Sequence, residues 1–139
     1  MKTRLKLPLA ARHGLAELVA KGYPEETCGL LVGSAVDGER RVERVVQARN
    51  LNRARPRDRY ELDPLDHLQA DEAARRDGLE VVGVWHSHPD HPARPSETDR
   101  GAAWPGWSYV IAAVGASGLG ELRSWRLEEA KFEEEEIVP

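Results

Sequence analysis

The stretch from Leu79 to Asp99 constrains the fold of this chain more than any other, because an apolar segment runs directly into two histidines. Residues Leu79–Trp85 are apolar and rich in β-branched side chains, which predicts a buried strand that ends where the histidines begin. Side chains alternate between the two faces of a strand, so we expect His86 and His88 to point the same way. The fold must therefore bring two imidazoles together at one end of a buried strand.

The residues after the histidines predict a rigid loop followed by a helix. Pro89, Pro92 and Pro95 restrict the backbone and do not favour further strand. Ser96 is a typical helix N-cap, and Asp99 falls in the first turn of the helix that it would begin. Two histidines, this carboxylate and one open position form the ligand set of a catalytic zinc ion.

Other interpretations of the same residues remain open. A strand with two histidines can be a polar edge, and a capping pair of Ser96 and Asp99 is sufficient to start a helix. His86, His88 and His91 can instead form a three-histidine site, which leaves Asp99 as a cap. A set of two histidines and one carboxylate also suits non-haem iron.

A second group of candidate residues lies far upstream, at the entrance of another predicted strand. Leu30–Val32 is a short apolar run closed by Gly33, and the acidic pair Glu25 and Glu26 precedes it. Hydrolysis at a metal site needs a carboxylate that takes a proton from water and passes it to the leaving amine. Either glutamate can do this, and the alternative is a solvated pair in a turn.

Together these motifs resemble the JAMM (MPN-plus, JAB-type) zinc metalloproteases, which remove ubiquitin-like proteins or process their C-termini. The family pattern is a Glu, then His-x-His-Pro, then a Ser and an Asp at spacings that this chain matches. By this resemblance His86, His88 and Asp99 are the zinc ligands, and Ser96 helps to hold the oxyanion. Glu26 is the general base, because the family's Glu commonly precedes a Cys-Gly pair by one residue.

In that family match Glu25 is the alternative base. The resemblance extends over nearly the whole chain and implies one α/β domain over residues 1–139, a mixed β-sheet flanked by helices in a cytidine-deaminase-like arrangement. It places the chain with the small single-domain bacterial and archaeal members. These relatives suggest a zinc-dependent peptidase or isopeptidase that acts at the C-terminus of a ubiquitin-like or sulfur-carrier protein, and a possible homodimer. A cell-wall peptide hydrolase of the same family and a non-catalytic MPN-type interaction module are the alternatives.

Hydrophobic patterns predict the remaining elements. Helices are expected over Leu9–Lys21 and Pro64–Asp77, and a glycine-rich turn over Gly115–Gly120. The run Glu133–Glu136 is expected to form a charged edge that blocks sheet pairing. Further strands are predicted over Arg40–Ala48, Trp107–Val114, Glu121–Leu127 and Lys131–Val138.

Composition narrows the class of protein. The 139 residues carry a net charge of −4, which gives no electrostatic footprint for nucleic acid. Cys28, the single cysteine, is expected to be a small buried hydrophobe. Residues Met1–Pro8 do not have the apolar core of a signal peptide, and no apolar run approaches the length of a membrane span. We therefore expect a cytoplasmic protein.

Two surface features have no role in the metal motif. Five arginines crowd residues 49–59, and they predict either a mobile, solvated loop or a docking surface for an acidic partner, such as a ubiquitin-like carrier. Trp104 and Trp107 follow the motif helix and are candidates to line a substrate groove. The arginines are Arg49, Arg53, Arg55, Arg57 and Arg59.

Overall fold

The computed structural model describes residues 3–57 and 59–139. This part of the chain contains seven strands and three helices. None of these helices is long and apolar enough to cross a membrane. In chain order the elements are β1 (Arg4–Lys6), α1 (Leu9–Gly22), β2 (Cys28–Val36), β3 (Glu39–Ala48), α2 (Pro64–Arg76), β4 (Glu80–Pro89), α3 (Glu97–Ala102), β5 (Ser108–Gly115), β6 (Gly118–Glu128) and β7 (Lys131–Val138).

The strands form one mixed sheet that closes into a barrel in the order β1-β3-β2-β4-β5-β6-β7. The short strand β1 closes it, because β1 pairs in parallel with both β3 and β7. β4 and β5 are also parallel, and the other neighbours are antiparallel. The predicted α/β fold with a mixed sheet and flanking helices is confirmed. The sequence patterns did not indicate β1 or the closure.

β4 is buried along all but its first residue, because helices cover the sheet on both sides. Val82 belongs to the apolar cluster that contains Leu15 and Val19 of α1. Its neighbour Val81 belongs to the cluster that contains Ala74 of α2. A strand with both faces covered is apolar throughout rather than alternating, which explains the uninterrupted run in the sequence.

The predicted end of this strand at Trp85 is wrong, because β4 continues through the histidines to Pro89. The parallel neighbour β5 pairs with β4 along this whole stretch, with Pro89 opposite Val114. A proline lacks the amide that a ladder needs, but this matters little at the last position of a strand. The histidines therefore lie on a paired strand.

The predicted glycine-rich turn is shorter than expected. Only Ala116 and Ser117 form the turn, and β5 and β6 pair up to Gly115 opposite Gly118. Gly118 has a φ of +101°, a backbone conformation that residues other than glycine rarely adopt. The glycine at this position therefore allows the tight turn of the hairpin.

The expectation that Glu133–Glu136 blocks sheet pairing is also wrong. β7 lies between β6 and β1 and pairs with both. Its charge is neutralised from the neighbouring strand: Glu135 is buried and accepts hydrogen bonds from the Ser124 hydroxyl over 2.8 Å and from Arg126 Nε over 2.9 Å. The acidic run is part of the barrel wall because β6 supplies its partners.

Candidate metal centre

The start of β2 lies next to the histidines, because β2 pairs antiparallel with β4 and places Cys28 opposite His86. One residue earlier, the Thr27 amide donates to the Ser87 hydroxyl over 2.8 Å, and the Ser87 amide donates to the Thr27 carbonyl over 2.9 Å. These two bonds extend the pairing beyond β2. They hold the preceding residue, Glu26, beside the histidine end of β4.

The two imidazoles are buried on the same face of β4, with their Nε2 atoms 3.1 Å apart. The Nδ1 atom of His88 donates to the Pro92 carbonyl over 2.8 Å, so the loop proline orients the ring with its Nε2 atom facing His86 and Asp99. The ring of His86 stacks on Tyr60, with centroids 4.5 Å apart. Each ring is thus oriented by a neighbour outside the motif.

Asp99 reaches the histidines from α3. Its Oδ2 atom lies 3.1 Å from His88 Nε2, and its Oδ1 atom lies 3.3 Å from His86 Nε2. Oδ2 also accepts from the Ser96 amide over 2.8 Å, while the Ser96 hydroxyl accepts from the Asp99 amide over 3.0 Å. This is a capping box. The capping and ligand interpretations of these residues are therefore compatible, because the same cap orients the carboxylate.

The structure separates the two candidate glutamates. Glu26 is buried, and its carboxylate forms a group with the nitrogens of His86 and His88 in which the atoms lie within 4.8 Å of one another. Glu25 is exposed. His91 is exposed as well and does not belong to this group. Two buried carboxylates, those of Glu26 and Asp99, therefore flank the imidazole pair.

Burial and hydrogen bonding set the charges at this site. Burial lowers the pKa of His86 despite the opposing effect of Asp99, so its imidazole is neutral at pH 7. Burial alone would raise the pKa of Asp99, but hydrogen bonds from His86 and His88 outweigh it and hold that pKa well below its usual range. A neutral His86 and an ionised Asp99 are in the protonation states that bind metals. Burial opposes protonation of His88, but hydrogen bonds to Asp99 and to the Pro92 carbonyl outweigh it and raise the pKa of His88, so a metal must displace its Nε2 proton.

The donor geometry fits a zinc ion. Ligand atoms at 2.0–2.1 Å from a tetrahedral zinc are separated from one another by about 3.3 Å. The nitrogens of His86 and His88 and the oxygens of Asp99 are separated by 3.1, 3.1 and 3.3 Å. Once a cation displaces the Nε2 protons, two imidazole lone pairs and a carboxylate face one another at such distances, and the cation binds all three.

An apolar groove begins beside the imidazole pair. It has a volume of 520 Å³, and Tyr60, which stacks on His86, is part of its wall. Trp104 and Trp107 also line it, as their position after the motif helix suggested, and the Trp104 side chain is 67% exposed. The rest of the wall consists of Leu30, Glu61, Leu62, Pro64, His67, Val84 and Tyr109.

Sequence reasoning missed Tyr60 and Asn50. Tyr60 stacks on His86, and Asn50 donates from its side chain to the Glu26 carbonyl over 3.2 Å. Neither residue belongs to a motif, since each acts through tertiary contact with a residue 24 or more positions away, and no local signal marks it.

Cys28 is buried, as we expected from the sequence. Burial raises the pKa of its thiol to about 12, so the thiolate is scarce at neutral pH. The metal motif is therefore the part of this region that can do chemistry, and Cys28 contributes packing.

Comparison with known sequences identifies similar proteins over most of the chain. A family model described as prokaryotic homologs of the JAB domain matches residues 8–128. The desampylase of Haloferax volcanii is 36% identical over 80% of this chain and 81% of its own length. A probable TtuB-protein conjugate cleaving protease of Thermus thermophilus is 39% identical over 77% and 75%. The CysO-cysteine peptidase of Mycobacterium tuberculosis is 34% identical over 84% and 78%.

Solved structures agree with this similarity. The solution structure of a Desulfitobacterium hafniense protein superposes with a TM-score of 0.86 at 31% identity, over 96% of this chain and 91% of the other. A JAB1/MPN domain protein of Archaeoglobus fulgidus superposes with a TM-score of 0.56 at 17% identity, over 99% and 98% of the two chains. At that identity the second match supports the fold alone.

Proposed function

Because this chain belongs to the prokaryotic JAB family and is a JAMM-type peptidase, we propose that it hydrolyses a peptide or isopeptide bond at the C-terminus of a ubiquitin-like or sulfur-carrier protein. The predicted family is confirmed. The substrate class comes from the relatives, whose names state that they cleave TtuB conjugates or act on CysO-cysteine.

One observation carries the proposal: two buried imidazole nitrogens and a buried carboxylate lie at mutual distances of 3.1–3.3 Å, which are those of zinc ligands. We assign His86, His88 and Asp99 as these ligands. Asp99 contacts both nitrogens directly and is held in place by its capping box. When bound, zinc would supply Lewis-acid polarisation of the scissile carbonyl and make water acidic enough to be deprotonated near pH 7.

Glu26 is then the general base. It is buried, and its carboxylate lies within 4.8 Å of the ligand nitrogens of His86 and His88, so it can reach a water held at this site. Its carboxylate would accept a proton from the attacking water and give that proton to the departing amine. No other carboxylate in the described part of the chain groups with both histidine nitrogens, apart from Asp99.

Ser96 would act on the other side of the reacting carbonyl. Its hydroxyl oxygen accepts from the Asp99 amide, so the hydroxyl proton remains available to donate to a second partner. We propose that the hydroxyl donates this hydrogen bond to the oxyanion that forms on the substrate. The apolar groove would receive the substrate chain next to the scissile bond, because Tyr60, which stacks on His86, forms part of its wall and most of its lining surface is apolar.

The test compares two neighbouring glutamates, changed one at a time to glutamine. The substrate is a ubiquitin-like or sulfur-carrier protein joined through its C-terminus to a reporter protein. Glu26→Gln removes the proton acceptor and is expected to lower kcat by about 100-fold or more. The matched control, Glu25→Gln, changes the exposed neighbour and should leave kcat unchanged. Undiminished turnover of Glu26→Gln would contradict the assignment.

A further inference from the structure

Three arginines form an exposed basic surface on the connection between β3 and α2. We call it the Arg53–Arg57 surface, and it consists of the side chains of Arg53, Arg55 and Arg57. The chain as a whole carries a net charge of −4, so this local positive charge is opposite in sign to the net charge of the protein. The proposed mechanism does not use it.

The backbone of this surface is held in place by Asn50. The Asn50 side-chain amide donates to the carbonyls of Glu26 and Arg59, over 3.2 and 3.1 Å. Its side-chain oxygen accepts from the amides of Asn52 and Glu61, over 3.0 and 2.9 Å. Four hydrogen bonds from one side chain tie both ends of the segment together. This favours a fixed surface over the mobile loop that was the other expectation.

The Arg53–Arg57 surface adjoins the catalytic residues. The carbonyl of Pro56, between two of its arginines, accepts the backbone amide of Glu26 over 2.6 Å. Arg55 and Arg57 also line a depression of 370 Å³ with Pro89, the last residue of β4, and with His91, two residues beyond it. The arginines therefore lie next to the end of β4 that carries the histidines.

The described lining of the depression carries more positive than negative charge. It contains Arg55 and Arg57 and one carboxylate, Asp90, whose oxygens accept from the Tyr23 hydroxyl over 3.0 and 2.9 Å. Arg49 is excluded from the surface, since it forms ion pairs with Asp63 and Asp66 at 3.4 Å. The exposed arginines beyond Asn50 thus provide the positive charge next to the site.

We propose that the Arg53–Arg57 surface docks an acidic segment of the polypeptide substrate beside the bond to be cleaved. This rests on the proposed function. Guanidinium groups bind carboxylates through paired hydrogen bonds, and charges at the rim of an interface mainly accelerate association. We favour a polypeptide over a nucleic acid as the ligand of this surface, because the surface is small and lies beside Glu26, the proposed general base of a peptidase. The chain as a whole is also acidic.

The experiment uses two fluorogenic peptides with one common C-terminal tail. In one peptide the upstream segment is rich in glutamate, and in the other each of these glutamates is replaced by glutamine. The wild-type protein is compared with the double variant Arg53→Glu/Arg57→Glu. The matched control is Arg12→Glu/Arg76→Glu, with the same charge change at exposed positions of α1 and α2. These positions lie about 15 and 18 Å along their helices from the ends nearest the site.

The wild type is expected to cleave the glutamate peptide with at least about a tenfold lower KM than the glutamine peptide at low salt. This preference should vanish near 1 M salt, where the screening length falls to about 3 Å. Arg53→Glu/Arg57→Glu should lose the preference and keep its kcat on the glutamine peptide, whereas the control variant should keep both. Equal KM values for the two peptides in the wild type would overturn the proposal.

A binding measurement separates this proposal from the proposed function. If the wild type cleaves neither peptide, fluorescence anisotropy of the same labelled peptides still tests docking, and cleavage of the carrier–reporter conjugate tests the proposed function separately. Tighter binding of the glutamate peptide that depends on Arg53 and Arg57 would support the surface. Labelled single-stranded RNA that binds through the same arginines and displaces the glutamate peptide would assign the surface to nucleic acid and overturn the proposal.

Discussion

The Asp99 carboxylate is oriented by the helix that carries it. One oxygen accepts the Ser96 amide and lies 3.1 Å from His88, so the start of α3 and the end of β4 are joined at a single atom. A ligand held by backbone hydrogen bonds loses little side-chain freedom when it binds a metal. The short helix α3 thus serves to present one carboxylate.

Ser96 has two separable roles in this arrangement. Ser96→Ala removes both the N-cap and the proposed oxyanion donor, so we expect a loss of about 0.5–2 kcal/mol in the free energy of unfolding and a fall in kcat on the order of 100-fold to 1,000-fold. Ser96→Asn keeps a good N-cap without the hydroxyl. It should restore most of the stability and leave kcat low.

Urea unfolding and steady-state kinetics on the same preparations check this pair of variants. A Ser96→Asn protein that turns over at the wild-type rate would show that the hydroxyl serves only to cap the helix.

At this scale the metal motif could be predicted and its surroundings could not. The alternation of a strand places His86 and His88 on one side, and the N-cap pattern places Asp99 in the first turn of a helix. The choice between Glu25 and Glu26 depends on which side chain is buried. Tyr60 acts through a ring contact across 26 positions of the chain, which no local pattern encodes.

Among the elements, the contact between β2, β3 and β4 is the tightest constraint on the site. A Cβ atom at Gly29 would lie 1.9 Å from the Val46 carbonyl oxygen and 2.5 Å from Trp85 Nε1. The Trp85 indole donates to that same carbonyl over 3.1 Å. Gly29 therefore leaves room for the indole to lie across β2. This contact is three residues from Glu26 along the chain and adjacent to His86.

Gly29→Ala is accordingly expected to destabilise the fold by about 1–3 kcal/mol or more, because a backbone carbonyl has nowhere to move. The matched control is Gly14→Ala in α1, where a Cβ would meet nothing within 4 Å. That change should stabilise the protein by about 0.5–1 kcal/mol. Thermal unfolding of both variants measures the contrast, and an unchanged Tm for Gly29→Ala would contradict the packing described.

Hydrophobic patterns located most of the elements but misjudged how they pair. The helix Pro64–Arg76 and the strand Lys131–Val138 lie close to their predicted ranges. The errors at Trp85 and at Glu133–Glu136 share one cause: a histidine or glutamate in a strand looks like an edge or an end until its partner on another strand is known. Here those partners are β5 for the histidines and β6 for the glutamates.

At the scale of the whole molecule, the pairing of β2 with β4 and the contact of α3 with the histidines bring the site together from three distant parts of the chain. The end of β4, the start of β2 and the start of α3 meet on one side. The apolar groove and the Arg53–Arg57 surface border this site. Closure could not be predicted because it depends on β1, whose three residues are too few to show a period.

The central claim is that His86, His88 and Asp99 hold zinc and that Glu26 acts as the base and not as a ligand. The most direct test is the zinc content of the wild type, Glu26→Gln and Asp99→Ala, determined by elemental analysis after zinc loading and dialysis. We predict about one zinc per chain in the wild type and in Glu26→Gln, and none in Asp99→Ala. Zinc that stays in Asp99→Ala but is lost from Glu26→Gln would make Glu26 the third ligand and contradict the account, as would a wild type that retains no zinc.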